Sequence, residues 1–194
     1  MNYLAHMYLS CSDEDLIIGN MLVDMMSIKR LRELPKQYHK GFELHRLIDS
    51  CTDEHPKVKE AVLKLRENHR KYAPVVIDIF YDYVLSLEWE RYSEEDIQDF
   101  CNGIYEVINK HLQNLPKDIV IRLEKMLADN FLMTCSSPKA VKRVFDLIDS
   151  RAKFNNNFSL ATKDLLEDYD YFRDNFFKFF PDMIEKAVSH RALY

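Results

Sequence analysis

The chain has 194 residues, of which 47% are hydrophobic and 30% are charged, and its formal net charge at pH 7 is −5. This length fits one domain with a sizeable core. With 3 Gly and 6 Pro, the chain has little material for tight hairpins or Gly-rich phosphate loops, which favours helices. The negative charge argues against a general nucleic-acid binder.

Cysteine usage and hydropathy exclude two further classes of protein. The four cysteines are scattered and form no Cys-x-x-Cys pair, so a zinc site built on cysteine is not expected. No segment reaches the roughly 18 apolar residues of a membrane span, and no signal peptide is evident. We therefore expect a cytoplasmic protein without a membrane span.

Caps and prolines divide the chain into helices joined by short connections. Together they predict a single all-α domain over residues 1–194, with roughly eight to ten helices. The predicted helices cover Asn2 to Ser10, Ser12 to about Lys29, Pro35 to about Thr52, Pro56 to about Lys71, Pro74 to Arg91, Ser93 to about Leu115, Pro116 to about Met133, Pro138 to about Asn155, Ser159 to about Phe180, and a last helix opened by Pro181.

Four aspartates interrupt apolar stretches of these helices, namely Asp24, Asp49, Asp78 and Asp82. An isolated buried carboxylate costs many kcal/mol, so each must be neutralised, paired or bound to a cation. Several such acids in one small chain predict a shared cation.

Helical spacing groups these acids with other polar side chains. Residues four apart lie on one face of a helix and can bind one ion. The pairs are His45 with Asp49, Asp78 with Asp82, and Asn20 with Asp24; Asp53 continues the face of Asp49, and His6 lies on the first helix. Imidazole with carboxylates suits Mn²⁺, Mg²⁺ or Fe²⁺, and such an ion lowers the pKa of a bound water and polarises a phosphoryl oxygen.

Structural roles for the same acids stay open from spacing alone. Asp49 could pair with Arg46 or Arg66, and Asp24 could pair with Arg30. Asp78 could cap a broken helix or bond a buried tyrosine, and His6 could be a hydrogen-bonded core histidine.

Several ordered motifs resemble the acyl carrier protein phosphodiesterase family over nearly the whole chain. The most specific lies between His45 and Pro56, and the middle from about Ser93 to Asp170 matches weakly. The motifs are Met1-Asn2-Tyr3-Leu4-Ala5-His6, Gly19-Asn20-Met21-Leu22-Val23-Asp24, Gly41-x-x-x-His45-Arg46-x-Ile48-Asp49-x-x-Thr52-Asp53-x-His55-Pro56, Ala73-Pro74, Asp78, Asp82, Trp89, and Phe176-Phe177-Lys178-Phe179-Phe180-Pro181-x-Met183.

The resemblance implies an all-α fold distantly related to HD-type metal-dependent phosphohydrolases. It also implies a Mn²⁺-dependent hydrolase that releases the 4′-phosphopantetheine arm from a serine of holo-acyl carrier protein. The implied metal ligands are Asp24, His45, Asp49, Asp82 and His6. Arg46 would stabilise phosphoryl charge, and Asp53 or Asp78 would handle a proton or orient a ligand.

Two features adjust this expectation. The family often has histidine where this chain has Tyr83. If that histidine binds metal or shuttles protons, its function would be missing here; if it only packs or bonds a neighbour, tyrosine would serve. The basic stretch from Lys29 to Lys40 would dock the acidic carrier protein. A different HD-like phosphohydrolase acting on a small phosphoester or nucleotide, and a non-catalytic carrier-protein binder, are the alternatives.

Overall fold

The computed structural model describes residues 1–151 and 157–192, and every regular element within them is helical, which confirms the all-α prediction. None of the helices in these ranges is long and apolar enough to cross a bilayer. Short 3₁₀ turns join several of them. The α-helices are α1 (Tyr3–Leu9), α2 (Glu14–Leu22), α3 (Ile28–Arg32), α4 (His39–Glu54), α5 (Pro56–His69), α6 (Ala73–Leu87), α7 (Ile97–His111), α8 (Lys117–Ala128), α9 (Pro138–Asp149), α10 (Phe158–Glu167) and α11 (Tyr169–Arg191).

Local capping signals set two helix starts as predicted. Ser137 caps α9 by accepting the Ala140 amide, and Pro138 occupies the first helical position, where its missing N–H costs nothing. Pro56 likewise begins α5, and the ring of His55 accepts the Lys57 amide. The end of the His45–Pro56 motif is therefore a helix junction.

Other predicted helix limits are wrong. The helix predicted from Ser12 to Lys29 is two helices, with Asp13 as the cap of α2 and a turn from residue 23 to 27 before α3. Pro181 lies inside α11, where buried aromatic residues on the preceding turn hold the helix to the core. Ser159 likewise lies inside α10. The predicted end near Asn155 lies outside the described residues, and α9 ends earlier, at Asp149.

Helices α2 and α4 touch through two glycines. A Cβ on Gly19 would lie 2.1 Å from the Tyr38 carbonyl oxygen, and one on Gly41 would lie 2.5 Å from the Asn20 nitrogen. Only hydrogen fits at these positions, so the two backbones approach closely. The contact holds Asn20, the residue after Gly19, against His45, one turn after Gly41.

Helices α6 and α11 form the centre of the aromatic core. The Tyr81 ring of α6 stacks on Phe179 of α11 with centroids 5.7 Å apart, and Phe80 meets Phe172 edge to face at 5.1 Å. These rings are fully buried. The start of α1 also packs on α6, so α6 supports the first turn of the chain.

Candidate metal centre

Two buried histidines and a half-exposed aspartate converge at the junction of α1 and α4. His6 Nε2 lies 3.3 Å from Asp49 Oδ1, and His45 Nε2 lies 3.1 Å from Asp49 Oδ2. Asp24, in the turn after α2, lies 3.6 Å from His45 Nε2. The histidine side chains are 5% exposed, whereas Asp49 and Asp24 are 49% and 51% exposed. The imidazoles thus form the floor of the centre and the carboxylates form its mouth.

Asn20 fixes the orientation of both imidazoles. Its side-chain Nδ2 donates to the His6 carbonyl at 3.1 Å and to Ser10 Oγ at 2.9 Å, which makes Oδ1 the acceptor. Oδ1 lies 2.8 Å from His6 Nδ1 and 2.9 Å from His45 Nδ1. An amide oxygen can only accept, so each Nδ1 carries a proton and donates it to Asn20.

This tautomer has a direct electrostatic consequence. A neutral imidazole with its proton on Nδ1 presents a lone pair at Nε2. Both Nε2 atoms face oxygens of Asp49, so acceptors face acceptors across 3.1–3.3 Å. A proton or a cation must lie between them to make this geometry favourable.

The pKa values favour a cation over a proton at His6. Burial lowers the pKa of His6, and the neighbouring charge of His45 lowers it further against the opposing effect of Asp49. Burial raises the pKa of Asp49, but the two adjacent imidazole rings of His45 and His6 outweigh burial and hold it well below its usual range. Neutral imidazole and ionised carboxylate are the forms that bind metal. One ligand atom from each of His6, His45 and Asp49 can be chosen so that all lie within 4.8 Å of one another.

Asp82, which we predicted as a metal ligand, is not brought into this group. Its carboxylate is buried on α6 and accepts the backbone amides of Asn2, Leu4 and Ala5 at 3.3, 2.8 and 3.3 Å. It therefore satisfies the free amides at the start of α1. Burial raises the pKa of Asp82 to about 7 against the lowering effect of these hydrogen bonds.

Asp78 also turns toward the chain terminus. Its Oδ1 lies 2.8 Å from the buried Met1 ammonium group. Asp53, one turn beyond Asp49 on α4, is exposed, and burial together with the charge of Asp78 raises its pKa. Of the two predicted proton-handling groups, Asp53 is thus the unpaired one among the described residues.

The remaining predicted positions lie outside the cluster. Arg46 is exposed on α4 and forms no ion pair within the described part of the chain. Tyr83 is buried on α6, with its ring edge to face with Tyr169 at 6.1 Å. Arg30 does not pair with Asp24 but makes two hydrogen bonds, of 2.8 and 2.7 Å, to Asp118.

Ser10 is the one member of the site that sequence reasoning missed. Its hydroxyl donates to the His6 carbonyl at 2.9 Å and accepts from Asn20, which locks the amide that orients both histidines. A serine at the end of a short helix carries no local signal of such a role.

Comparisons with known proteins agree with the motifs. A family model described as acyl carrier protein phosphodiesterase matches residues 1–183. Proteins named "Acyl carrier protein phosphodiesterase" from Escherichia coli O139:H28 (strain E24377A / ETEC), O9:H4 (strain HS) and strain SE11 are each 28% identical over 194 residues, covering 100% of both chains. No solved structure matches the chain.

Proposed function

The chain belongs to the acyl carrier protein phosphodiesterase family, and we propose that it is a metal-dependent hydrolase that releases 4′-phosphopantetheine from the serine of holo-acyl carrier protein. The products are apo-carrier protein and free 4′-phosphopantetheine. The observation that carries the metal dependence is the pair of imidazole lone pairs aimed at Asp49.

His6, His45, Asp49 and Asp24 would hold the divalent cation. Their nitrogen and oxygen donors suit Mn²⁺, with Mg²⁺ or Fe²⁺ as alternatives. When bound, such a cation lowers the pKa of water and polarises a phosphoryl oxygen. Asp82 is left out of this ligand set, since three backbone amides already occupy its oxygens.

Neighbouring residues supply orientation, charge and proton transfer. Asn20 holds both imidazoles in the tautomer that frees Nε2. Hydrogen bonds of this kind orient metal-binding histidines and raise their basicity. Asp53 has a raised pKa one turn from Asp49, and a shift in this direction suits a group that takes and returns a proton. Arg46, exposed beside His45, can reach a bound phosphodiester and balance its negative charge.

A mass-shift assay tests the proposal. Purified protein, stripped of metal and resupplied with Mn²⁺, should convert holo-carrier protein into the lighter apo form, and chelator should stop the conversion. If the wild type leaves holo-carrier protein intact with Mn²⁺, Mg²⁺ and Fe²⁺, the assignment of this reaction is wrong.

Small phosphodiesters in the same assay address the alternative. Rapid hydrolysis of a nucleotide or a synthetic phosphodiester without action on carrier protein would identify a related phosphohydrolase with another substrate.

A further inference from the structure

A large cavity of the described residues lies beside the metal centre rather than within it. It has a volume of about 930 Å³ and opens between the start of α1, α8, α9 and the 3₁₀ turn Phe131–Cys135. Its wall is largely apolar, with Met126, Phe131, Val144 and Ile148 among the lining residues. A concave surface of this size can accept side chains of a partner.

Four cations surround this cavity, and we call the four residues the basic rim. They are Arg122 and Lys125 on α8, Arg143 on α9 and Arg151 just beyond it, all exposed. Within residues 1–151 and 157–192, none of the four forms an ion pair with a carboxylate.

Two cations outside the rim are neutralised by acids. Arg30 pairs with Asp118, and Lys110 pairs with Glu14. In the cavity itself the carboxylates are Asp78 and Asp129, of which Asp78 is balanced by the Met1 ammonium. The surface around the cavity is therefore positively charged, although the net charge of the chain is −5.

Tyr3 connects the cavity to the metal centre. It lines the cavity, and it lies three residues before His6 on the same face of α1. Burial raises the pKa of Tyr3, the charge of Asp24 raises it further, and Arg122 lowers it. The Tyr3 hydroxyl thus lies within electrostatic reach of a residue of the centre and a residue of the rim.

We propose that the basic rim and its apolar cavity dock the acidic carrier protein and present its modified serine to the metal centre, an inference that rests on the proposed function. The complementary partner is an acidic protein surface with an apolar side chain at its middle. Cations spread over two helices match an extended acidic face, whereas a single phosphate needs one compact cluster. In the stretch from Lys29 to Lys40, Asp118 neutralises Arg30.

Charge reversal on both sides of the cavity tests this surface. The variant carries Lys125→Glu and Arg143→Glu, and the matched control carries Lys178→Glu and Lys186→Glu, which make the same charge change at exposed positions of α11 that do not line the cavity. The readouts are kcat and KM for holo-carrier protein, and the Kd for labelled apo-carrier protein, which cannot be turned over. Circular dichroism and the melting temperature check the fold.

We expect KM and Kd of the rim variant to rise about tenfold at low salt and less at high salt, because screening weakens exposed charges. The value of kcat should change less than about twofold. The control pair should leave KM and Kd unchanged. Asp129→Lys adds a cation to the same cavity, so it should lower KM, a gain that unfolding cannot produce.

Each other outcome has a defined meaning. Unchanged KM and Kd in the rim variant, or an equal rise in the control, overturns the docking surface while leaving the hydrolase assignment intact. Binding of apo-carrier protein that depends on the rim, without turnover by the wild type, overturns the hydrolase instead. Equal affinity of the wild type for a single-stranded oligonucleotide would show a general anion surface and overturn the inference.

Discussion

The carboxylates of α4 and α6 interrupt apolar stretches in the same way, but the structure gives them opposite surroundings. Asp82 on α6 is buried and receives three backbone N–H groups from the first turn of α1. Asp49 on α4 is half-exposed and faces two imidazole nitrogens whose protons lie on the far side of each ring.

The difference shows how an acid with a structural role can be told from one with a chemical role. Donors surround Asp82, so both of its oxygens already accept hydrogen bonds within the protein. Acceptors surround Asp49, so its environment is complete only with a cation. The sequence around the two acids is similar, so what distinguishes them is whether the neighbouring atoms donate or accept hydrogen bonds.

Removal of Asp49 should have the largest effect on activity. We expect Asp49→Ala to lower kcat/KM by more than about 100-fold, above the 10–100-fold typical for loss of a residue that only supports a metal ligand. The helical circular dichroism spectrum should be retained, because Asp49 lies at the mouth of the centre. Asp182→Ala is the matched control, since Asp182 also lies beside a histidine, His55, outside the cluster. Full activity in Asp49→Ala would remove the metal centre from the mechanism.

Removal of Asn20 should weaken the centre indirectly. Without its Oδ1, His6 and His45 can flip or change tautomer, and we expect Asn20→Ala to lower Mn²⁺ affinity about 10–100-fold, measured by titration calorimetry. Asn175→Ala removes a buried asparagine of α11 and should leave Mn²⁺ affinity unchanged. Equal affinities in the wild type and Asn20→Ala would show that the imidazoles need no external orientation.

The glycine contact between α2 and α4 should be sensitive to a single methyl group. Gly41→Ala places a Cβ against the backbone of Asn20, whereas a Cβ at Gly103 meets nothing within 4 Å. We expect Gly41→Ala to cost about 1–3 kcal/mol or more in unfolding free energy. Gly103→Ala, inside α7, should gain up to about 1 kcal/mol. Chemical denaturation measures both values, and similar stabilities would contradict the close approach of the helices.

The pH dependence of stability should report on Asp82. Its folded-state pKa of about 7 exceeds the unfolded value near 3.8, so the folded protein binds the extra proton between these values. The contribution of Asp82 to stability is then largest below about pH 4, falls as pH rises to about 7 and stays level above. The difference in unfolding free energy between the wild type and Asp82→Ala should therefore be larger at pH 5 than at pH 8. A constant difference would show that the carboxyl titrates normally.

Much of the helical architecture follows from local signals, because caps and prolines act within one turn. Ser137 and Pro56 begin helices where the sequence predicts them. The turn that carries Asp24 was not predicted, since residues 23–27 contain neither proline nor glycine. Pro181 was expected to open a helix, but tertiary packing of α11 overrides that signal.

The site itself was predictable in part. The spacing of His45 and Asp49 places them on one face of α4, as the structure shows. The exclusion of Asp82 depends on where the start of α1 packs, which is a contact between residues about 80 positions apart. No local pattern encodes that contact, so the sequence could not separate Asp82 from Asp49.

The most direct test of the difference between the two acids is the shift in melting temperature on addition of Mn²⁺ to the wild type, Asp49→Ala and Asp82→Ala. A ligand at about 100 times its Kd stabilises the folded state by about 2.7 kcal/mol. We predict a clear rise for the wild type, a similar rise from a lower starting temperature for Asp82→Ala, and no rise for Asp49→Ala. A rise that persists in Asp49→Ala, or one that is lost in Asp82→Ala alone, would contradict the account.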